Sequence, residues 1–246
     1  MSTVDPQSVE EARQQIRALV DEIEVLSRAD MAEADFFRGL LDRVLEAMGA
    51  VAGLVWLAGE QGRFEPICHG GMQNTGLTDA PESQQAHGQM VQTLVGSPAG
   101  LLVPPRASIE GPDGKVIASN PTDLLVIASP IDRAGARAGL VEVFHHPNEV
   151  AVQQGYLKFL DQVSAVAGGY LERRQLRTLD AQQTTLAQVD RFARAVHETL
   201  DPVATAFVLA NEARRIIGCD RVSVLVRRRR KLRLEAVSGQ ESIERR

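Results

Sequence analysis

Cysteine and histidine are the residues of this sequence best suited to chemistry, and one adjacent pair stands out. Cys68 precedes His69, and a thiol beside an imidazole could form a redox or haem contact. The same pattern suits a buried cysteine followed by a histidine at a strand end. The second cysteine, Cys219, is far from Cys68, so the sequence predicts a reducing compartment and no disulfide framework.

Two further groups of histidines have a structural and a functional interpretation. His145, His146 and Glu149 could suggest a metal site, but Pro147 breaks any helix that would place them together. We therefore expect a solvated strand end and no metal site. His87 falls on a predicted helix, where it could face solvent or reach a ligand.

The strongest charge run is formed by residues 227–231, four arginines and a lysine. Such a run could bind phosphate, anionic lipid or nucleic acid. It lies between Val226 and Leu232, however, at a position that suits the tip of a β-hairpin. The net charge of −5 also argues against a general nucleic-acid binder, so we predict a solvated tip and no nucleic-acid partner.

Motifs for catalysis are absent from the sequence. There is no phosphate-binding G-x-x-x-x-G-K-[ST] loop, no G-x-S-x-G nucleophile elbow and no H-E-x-x-H zinc motif. We predict no catalytic residues and no enzyme activity, and the sequence leaves any cofactor undefined.

The composition describes an ordinary globular protein. Apolar residues make up 44% of the chain and charged residues 24%. The acidic N-terminus does not resemble a secretory signal, and the longest apolar run, residues 51–59, is under half of the roughly 20 residues that a membrane helix needs. We expect a soluble, cytoplasmic chain that meets a membrane only through regions outside it.

Hydrophobic periodicity indicates helices first, then strands, then a long helix. Asp35 could cap the second helix, and Gly49 should end it. The predicted helices are residues 9–29, 35–48 and 82–95; the predicted strands are residues 51–57, 63–68, 101–103, 123–131 and 138–144, with a turn at 132–135 and an irregular loop or small hairpin at 109–120.

Helical periodicity returns after Pro147 and persists to about residue 200, which predicts a helix about 75 Å long. Its second half fits a heptad pattern, weakened by Gln182 and Ala193. This seam predicts a homodimer; the alternative is a break near Arg173 that lets the stripe fold back on its own chain. The predicted seam residues are Leu179, Leu186, Val189, Val196 and Leu200.

The organisation of the first domain recurs after a shift of 169 residues. Gly49 then falls on Gly218, and the strand around Val55 falls on the one around Val224. The second copy stops after its first two strands, so we expect a truncated copy. The predicted division is an N-terminal helix (1–30), a first domain (31–170), a connecting helix (171–200) and the incomplete second domain (201–246).

The pattern of the last two strands of the first domain resembles the GAF family. Residues 123–131 (DLLVIASPI), 132–135 (DRAG) and 138–144 (AGLVEVF) look like the family's penultimate strand ending in Pro-Ile, a tight turn and a final strand opening Gly-Leu. Residues 88–95 and 101–104 resemble the helix and short strand that cover the family's pocket. The resemblance implies a sensory domain with a lidded pocket.

A closer resemblance concerns residues 155–160, 191–197 and 218–224, which are similar to the cytoplasmic front half of GAF-bearing proteins with an efflux or secretion adaptor region of the HlyD type. It implies a regulatory role beside a membrane transporter. The Pro-x-Ser-Asp-Ile-Pro motif of bilin-bearing relatives and the Asn-Lys…Phe…Asp-Glu signature of cyclic-nucleotide-binding relatives are absent, so the ligand stays undefined.

Together these patterns predict an α+β fold with a GAF-like central antiparallel sheet flanked by helices, and a long helix leading to the truncated copy. The predicted function is a non-catalytic regulatory module that binds an unknown small molecule or a partner. The alternatives are a dimerisation scaffold without ligand, or the regulatory part of an enzyme whose catalytic domain lies beyond residue 246. The candidate ligand-binding residues are His69, His87 and Ser129.

Overall fold

A computed structural model describes residues 6–59, 62–111, 113–197 and 201–240, without the side chains of residues 6–13, 15 and 16. The chain divides into two compact units, Met1–Arg174 and Gln175–Arg246. The helices are α1 (Pro6–Arg28), α2 (Glu33–Met48), α3 (Pro81–Val95), α4 (Val150–His197) and α5 (Pro202–Ile217). The strands are β1 (Ala52–Ala58), β2 (Phe64–Gly70), β3 (Leu101–Val103), β4 (Ser108–Glu110), β5 (Val116–Ser119), β6 (Leu125–Arg133), β7 (Ala136–His145), β8 (Ser223–Arg228) and β9 (Lys231–Val237).

The first unit is built on a five-stranded antiparallel sheet of order β2-β1-β7-β6-β3, which confirms the predicted fold class. β6 and β7 pair antiparallel, as predicted. Their turn is tighter than expected, because Asp132 pairs with Arg137 and Arg133 with Ala136. Only Ala134 and Gly135 remain in the turn, both with positive φ, as two-residue hairpins with the right twist require.

Each face of this sheet carries its own hydrophobic core. Side chains alternate along a strand, so Val55 packs with α1, α2 and α4, whereas Leu54 and Trp56 pack on the α3 side. This confirms that Val55 does not share a face with its neighbours. β4 and β5 form a small separate hairpin, as the irregular segment allowed, and Ala118 of β5 joins the core under α3.

The helix ends follow their sequence signals in part. α2 begins at Glu33 after Ala32, which makes no side-chain cap hydrogen bond. Asp35 lies in the first turn, so its prediction as the cap is wrong. Gly49 ends the helix in the left-handed conformation with φ 59°, as predicted. Tyr170 of α4 stacks on Phe36 of α2, with ring centroids 3.8 Å apart.

The long helix α4 is continuous over 48 residues. It therefore passes Arg173 without the break that the alternative interpretation required. Phe159, Leu160 and Val163 lie in the core of the first unit. The part that belongs to the second unit begins at Gln175, and the predicted seam residue Leu200 lies outside the described residues.

The second unit repeats the opening elements of the first. α5 corresponds to α2 under the shift of 169 residues, and Gly218 ends it with φ 71° as Gly49 ends α2. The β8–β9 hairpin even repeats a register shift: the irregularity between Val55 and Trp56 recurs between Val224 and Leu225. A β-bulge changes the direction of a strand and occurs at specific positions. Its recurrence at the shifted position supports the interpretation that the two units are copies of one domain.

Candidate functional site

The candidate site is centred on Glu142, in the middle strand of the sheet. β7 lies between β1 and β6, and Glu142 pairs with Leu54 on one side and Ala128 on the other. Its flanking residues of the same face, Leu140 and Phe144, belong to the core under α3. Glu142 is 0% exposed. Burying a carboxylate costs free energy unless hydrogen bonds compensate. The hydrogen bonds that Glu142 accepts therefore determine whether it is stable in this position.

Two side chains hydrogen-bond to the carboxylate of Glu142. His87 of α3 places Nε2 at 2.9 Å from Oε1 and 3.0 Å from Oε2. Trp56 of β1 donates Nε1–H to Oε2 over 3.1 Å. In its Nε2–H tautomer, His87 donates this hydrogen bond to the carboxylate. Nδ1 of His87 has no hydrogen-bond partner among the described residues.

The polar cluster of Trp56, His87 and Glu142 is enclosed by apolar and aromatic groups. The ring centroids of Trp56 and Phe144 lie 5.9 Å and 5.8 Å from that of His87. Met90, Val91 and Leu94 of α3 fill the space between the helix and the sheet, as do Leu77 and Val126, among others. The side chains of the cluster hydrogen-bond to one another within a filled core, and the cluster holds no nucleophile next to a base.

Helix α3 meets the sheet through this cluster because of its sequence. Pro81 occupies its first turn, where the missing N–H costs nothing. His87, Met90, Val91 and Leu94 recur at steps of three and four and are buried on one face. The buried His87 in that apolar face requires a polar partner, and Glu142 provides it.

The structure places the three predicted ligand-binding residues in different surroundings. His87 is buried in the cluster and does not face solvent. His69 is exposed on β2, at the edge of the sheet, and pairs with Leu54. Ser129 lies on the opposite face, where its hydroxyl donates to Oδ1 of Asp161 over 2.6 Å. These positions do not form one site, and a ligand role for each stays a prediction.

Sequence analysis missed Trp56 and Glu142. Trp56 is the only tryptophan of the chain and falls in the predicted strand of residues 51–57, where the sequence indicates no function. Glu142 stands alone between Val141 and Val143 in the otherwise apolar run of residues 138–144 of β7. A single carboxylate within such a run is the signal that could have found it, since an unpaired charge does not persist in a core.

A second buried histidine, His145, corrects an expectation. It was predicted at a solvated strand end, but it is 8% exposed. Its Nε2 lies 2.9 Å from the carbonyl oxygen of Met48, and its Nδ1 lies 2.7 Å from that of His146. His145 therefore ties the end of β7 to the C-terminus of α2. The described residues contain no group of three metal ligands.

Cys68 is a core residue, whereas the adjacent His69 points to the other face of the sheet. Burial raises the pKa of the Cys68 thiol from 9.0 to about 11. A thiol that keeps its proton at neutral pH is a poor nucleophile and metal ligand. The interpretation as a buried cysteine beside a strand-end histidine is confirmed.

A chain of contacts links the C-terminal end of α3 to α4 across the β6–β7 turn. Nη1 of Arg137 donates to the carbonyl oxygen of Val95, the last residue of α3. Nε of the same guanidinium donates to Oδ1 of Asp132 over 2.7 Å. The backbone of Asp132 packs directly on Gly168 of α4, where a Cβ would lie 2.1 Å from the Asp132 oxygen. The backbone of the turn and the backbone of α4 are therefore in direct contact, with no space between them.

The remaining predicted surfaces lie in the second unit. The basic run occupies the end of the β8–β9 hairpin, with Arg229 and Arg230 in the turn, which confirms the predicted tip. On α4, Leu179, Leu186 and Val189 are 46%, 68% and 53% exposed, and Val196 is half-buried. No described helix is long and apolar enough to cross a membrane.

Comparison with known proteins bears on the fold. No protein-family model and no curated protein matches the sequence. The structure is similar to the A. aeolicus nlh2 GAF domain in an inactive state, with a TM-score of 0.51 and 12% identity over 66% of this chain and 99% of that one. It is also similar to bacteriophytochrome RpBphP3 of the photosynthetic bacterium R. palustris, with a TM-score of 0.50 and 10% identity over 90% of this chain and 48% of that one. The first unit therefore has a GAF-like fold.

Proposed function

We propose that this chain is a non-catalytic regulatory module that binds a small ligand beneath α3 and transmits the change through α4. The observation that carries the proposal is the buried cluster of Trp56, His87 and Glu142. Polar groups that converge within an apolar enclosure are typical of small-molecule sites. A purely structural core at this position could have used apolar side chains at no desolvation cost.

The cluster joins the covering helix to the sheet through one side-chain hydrogen-bond pair. Both oxygens of Glu142 face Nε2 of His87. A ligand that donates N–H groups to Glu142 competes with His87 for the same acceptors. Binding then frees His87 and lets α3 take a second position over the sheet. The ligand class that fits is a small planar molecule with adjacent N–H donors, because Glu142 accepts through two oxygens and Trp56 offers an aromatic ring.

Movement of α3 would reach α4 through the contacts of Arg137 and Asp132. A shift of the carbonyl of Val95 displaces Arg137, which holds the side chain of Asp132. The backbone of Asp132 packs on Gly168, so displacement of the turn presses on α4. A ligand shifts such an equilibrium only through its different affinity for the two positions of α3.

Trp56 provides the assay, because it is the only tryptophan and its indole contacts Glu142. We would titrate the full chain with guanidinium and aminopyrimidine fragments and record tryptophan emission. We expect a saturable change in wild type, loss of binding in Glu142→Gln, and unchanged binding in His146→Ala, an exposed histidine outside the cluster. A flat emission in wild type with every fragment up to millimolar concentration would overturn ligand binding and favour the scaffold alternative.

We infer further that the chain forms a homodimer through α4. The support is the row of exposed apolar side chains at Leu179, Leu186 and Val189, which repeats with heptad spacing. In a dimer, a conformational change in α4 of one chain would alter how this helix packs against α4 of the partner chain. Sedimentation across micromolar concentrations tests this, since a wild-type monomer throughout that range contradicts it.

We also propose that the module acts in the cytoplasm on a membrane efflux or secretion adaptor. Support comes from the resemblance of residues 155–160, 191–197 and 218–224 to the cytoplasmic half of adaptor proteins of the HlyD type. Co-purification of the full chain with an adaptor of the HlyD type, lost in a variant lacking residues 175–246, tests this assignment. Association that survives the deletion would contradict it.

A further inference from the structure

The first unit contains a cleft that lies apart from the cluster under α3. The cleft has a volume of about 240 Å³ and lies at the end of the sheet where β1 ends and β6 turns into β7. α2 contributes Glu33 from its first turn, and α4 contributes Leu171. None of the three cluster residues, Trp56, His87 and Glu142, lines it, so it is a separate candidate site.

Part of the lining of this cleft is apolar. Leu57 and Leu171 are 8% and 6% exposed, and both belong to the core that the sheet forms with α1, α2 and α4. Ile67 of β2 packs against the same core, and Ala138 of β7 is buried in it. An aliphatic group that covers such a surface gains free energy, because it removes apolar area from water.

Four charged residues also line the cleft, and two of them are already engaged within the fold. Glu33 forms an ion pair with Arg174 over 2.6 Å. The guanidinium of Arg137 donates to Asp132 and to the carbonyl oxygen of Val95. These contacts assign Glu33 and Arg137 to the structure of the unit.

The other two charged residues, Arg133 of β6 and Glu65 of β2, have no such engagement. Neither makes a hydrogen bond or an ion pair with any described residue, and they do not pair with each other. Glu65 is exposed, whereas Arg133 is half-buried. Partial burial of a guanidinium without a counter-charge costs hydration that no contact returns. A bound carboxylate would supply that counter-charge with two parallel hydrogen bonds.

We propose that this cleft binds a small zwitterion, an aliphatic α-amino acid, with its carboxylate at Arg133 and its ammonium group at Glu65. The side chain of the ligand then covers the apolar part of the lining. The volume is below the roughly 300–1,000 Å³ of pockets for drug-sized ligands, so the ligand has to be small. A simple anion would meet Arg133 but would be repelled by Glu65, and this repulsion gives the cleft its selectivity.

Isothermal titration calorimetry of the full chain with L-leucine tests the proposal. We expect saturable binding of L-leucine. The analogue 4-methylpentanoate lacks the ammonium group and leucinamide lacks the carboxylate, so each should bind at least about tenfold more weakly. Inorganic phosphate should not compete. No saturation by L-leucine up to about 50 mM would overturn the proposal, and so would equal binding of 4-methylpentanoate or competition by phosphate, since either indicates a site for anions only.

Variants assign each end of the ligand to its residue. Arg133→Gln should weaken L-leucine by at least about tenfold but leave leucinamide unchanged, because leucinamide has no carboxylate to lose. Glu65→Gln should weaken L-leucine similarly and leave 4-methylpentanoate unchanged. Arg63→Gln and Glu110→Gln change the same charges at exposed positions outside the cleft, and they should bind L-leucine as wild type does. An equal loss in these controls, or a loss of leucinamide binding in Arg133→Gln, would contradict the assignment.

Discussion

Replacing each of two glycines of α4 with alanine should change the stability of the chain in opposite directions. The comparison tests the contact between the β6–β7 turn and this helix. A Cβ on Gly168 would lie 2.1 Å from the backbone oxygen of Asp132, whereas a Cβ on Gly155 meets nothing within 4 Å. Both residues lie within α4. Alanine is favoured over glycine in a helix by about 1 kcal/mol, so helix propensity alone predicts the same gain at both positions.

The contact at Gly168 reverses that gain. The turn and α4 must separate by roughly 1 Å or more before carbon and oxygen reach an ordinary contact distance. Overpacking of this kind costs about 3 kcal/mol when a backbone carbonyl cannot move aside. The net loss for Gly168→Ala is then about 2 kcal/mol, or about 4–8 °C in Tm. Gly155→Ala should raise Tm by about 2–4 °C.

Thermal unfolding followed by circular dichroism at 222 nm measures both changes. Gly169→Ala is an additional control, because its Cβ would meet only the end of the Arg173 side chain, at 3.1 Å, and the gain in helix propensity is offset by disturbing the hydrogen bond from Arg173 to Ser27. We expect a small effect there. If Gly168→Ala stabilises the chain as much as Gly155→Ala, the packing of Asp132 on α4 is wrong, and with it the proposed route from α3 to α4.

Three further predictions concern the seam, the sheet and the buried thiol. Leu186→Glu with Val189→Glu should give a monomer by sedimentation whose first unit still unfolds cooperatively, and a persisting dimer would place the interface elsewhere. Val55→Asp should abolish the folding transition seen by circular dichroism, since it buries an unpaired charge; the same change at Val116, 61% exposed, should cost little. Because burial raises the pKa of Cys68 from 9.0 to about 11, the unfolded chain loses that proton first and stability should fall as pH rises from about 9 towards 11. Iodoacetamide at pH 8 should accordingly label Cys219 before Cys68, and equal labelling rates would contradict the buried thiol.

Local sequence signals were enough for the order of elements and for the repeat. The apolar residues of α2 and the glycine that follows it act within a few residues of one another, and the same signals recur at α5 and Gly218. Alternation along β1 placed Val55 and Trp56 on opposite faces, because strand side chains alternate whatever surrounds them. The resemblance of residues 123–144 to GAF strands then supplied the fold.

Boundaries and turns were less well determined, because they depend on pairing partners. Asp132 and Arg133 looked like turn residues, yet they extend β6 because Arg137 and Ala136 lie opposite. Asp35 had the chemistry of a cap, but α2 begins two residues earlier. At Asp132 and Arg133 the pairing with β7 outweighed the local preference for a turn.

The candidate site depended on the tertiary structure. Trp56, His87 and Glu142 come from three elements far apart in the sequence, and nothing local to any of them indicates the other two. The sequence alone determined that His87 lies on a helix with an apolar face and that Glu142 interrupts an apolar strand. Sheet order placed β7 between β1 and β6, and packing of α3 on the sheet brought His87 to Glu142. A buried charge is stable only next to its partners, so that contact was decided by the folded chain as a whole.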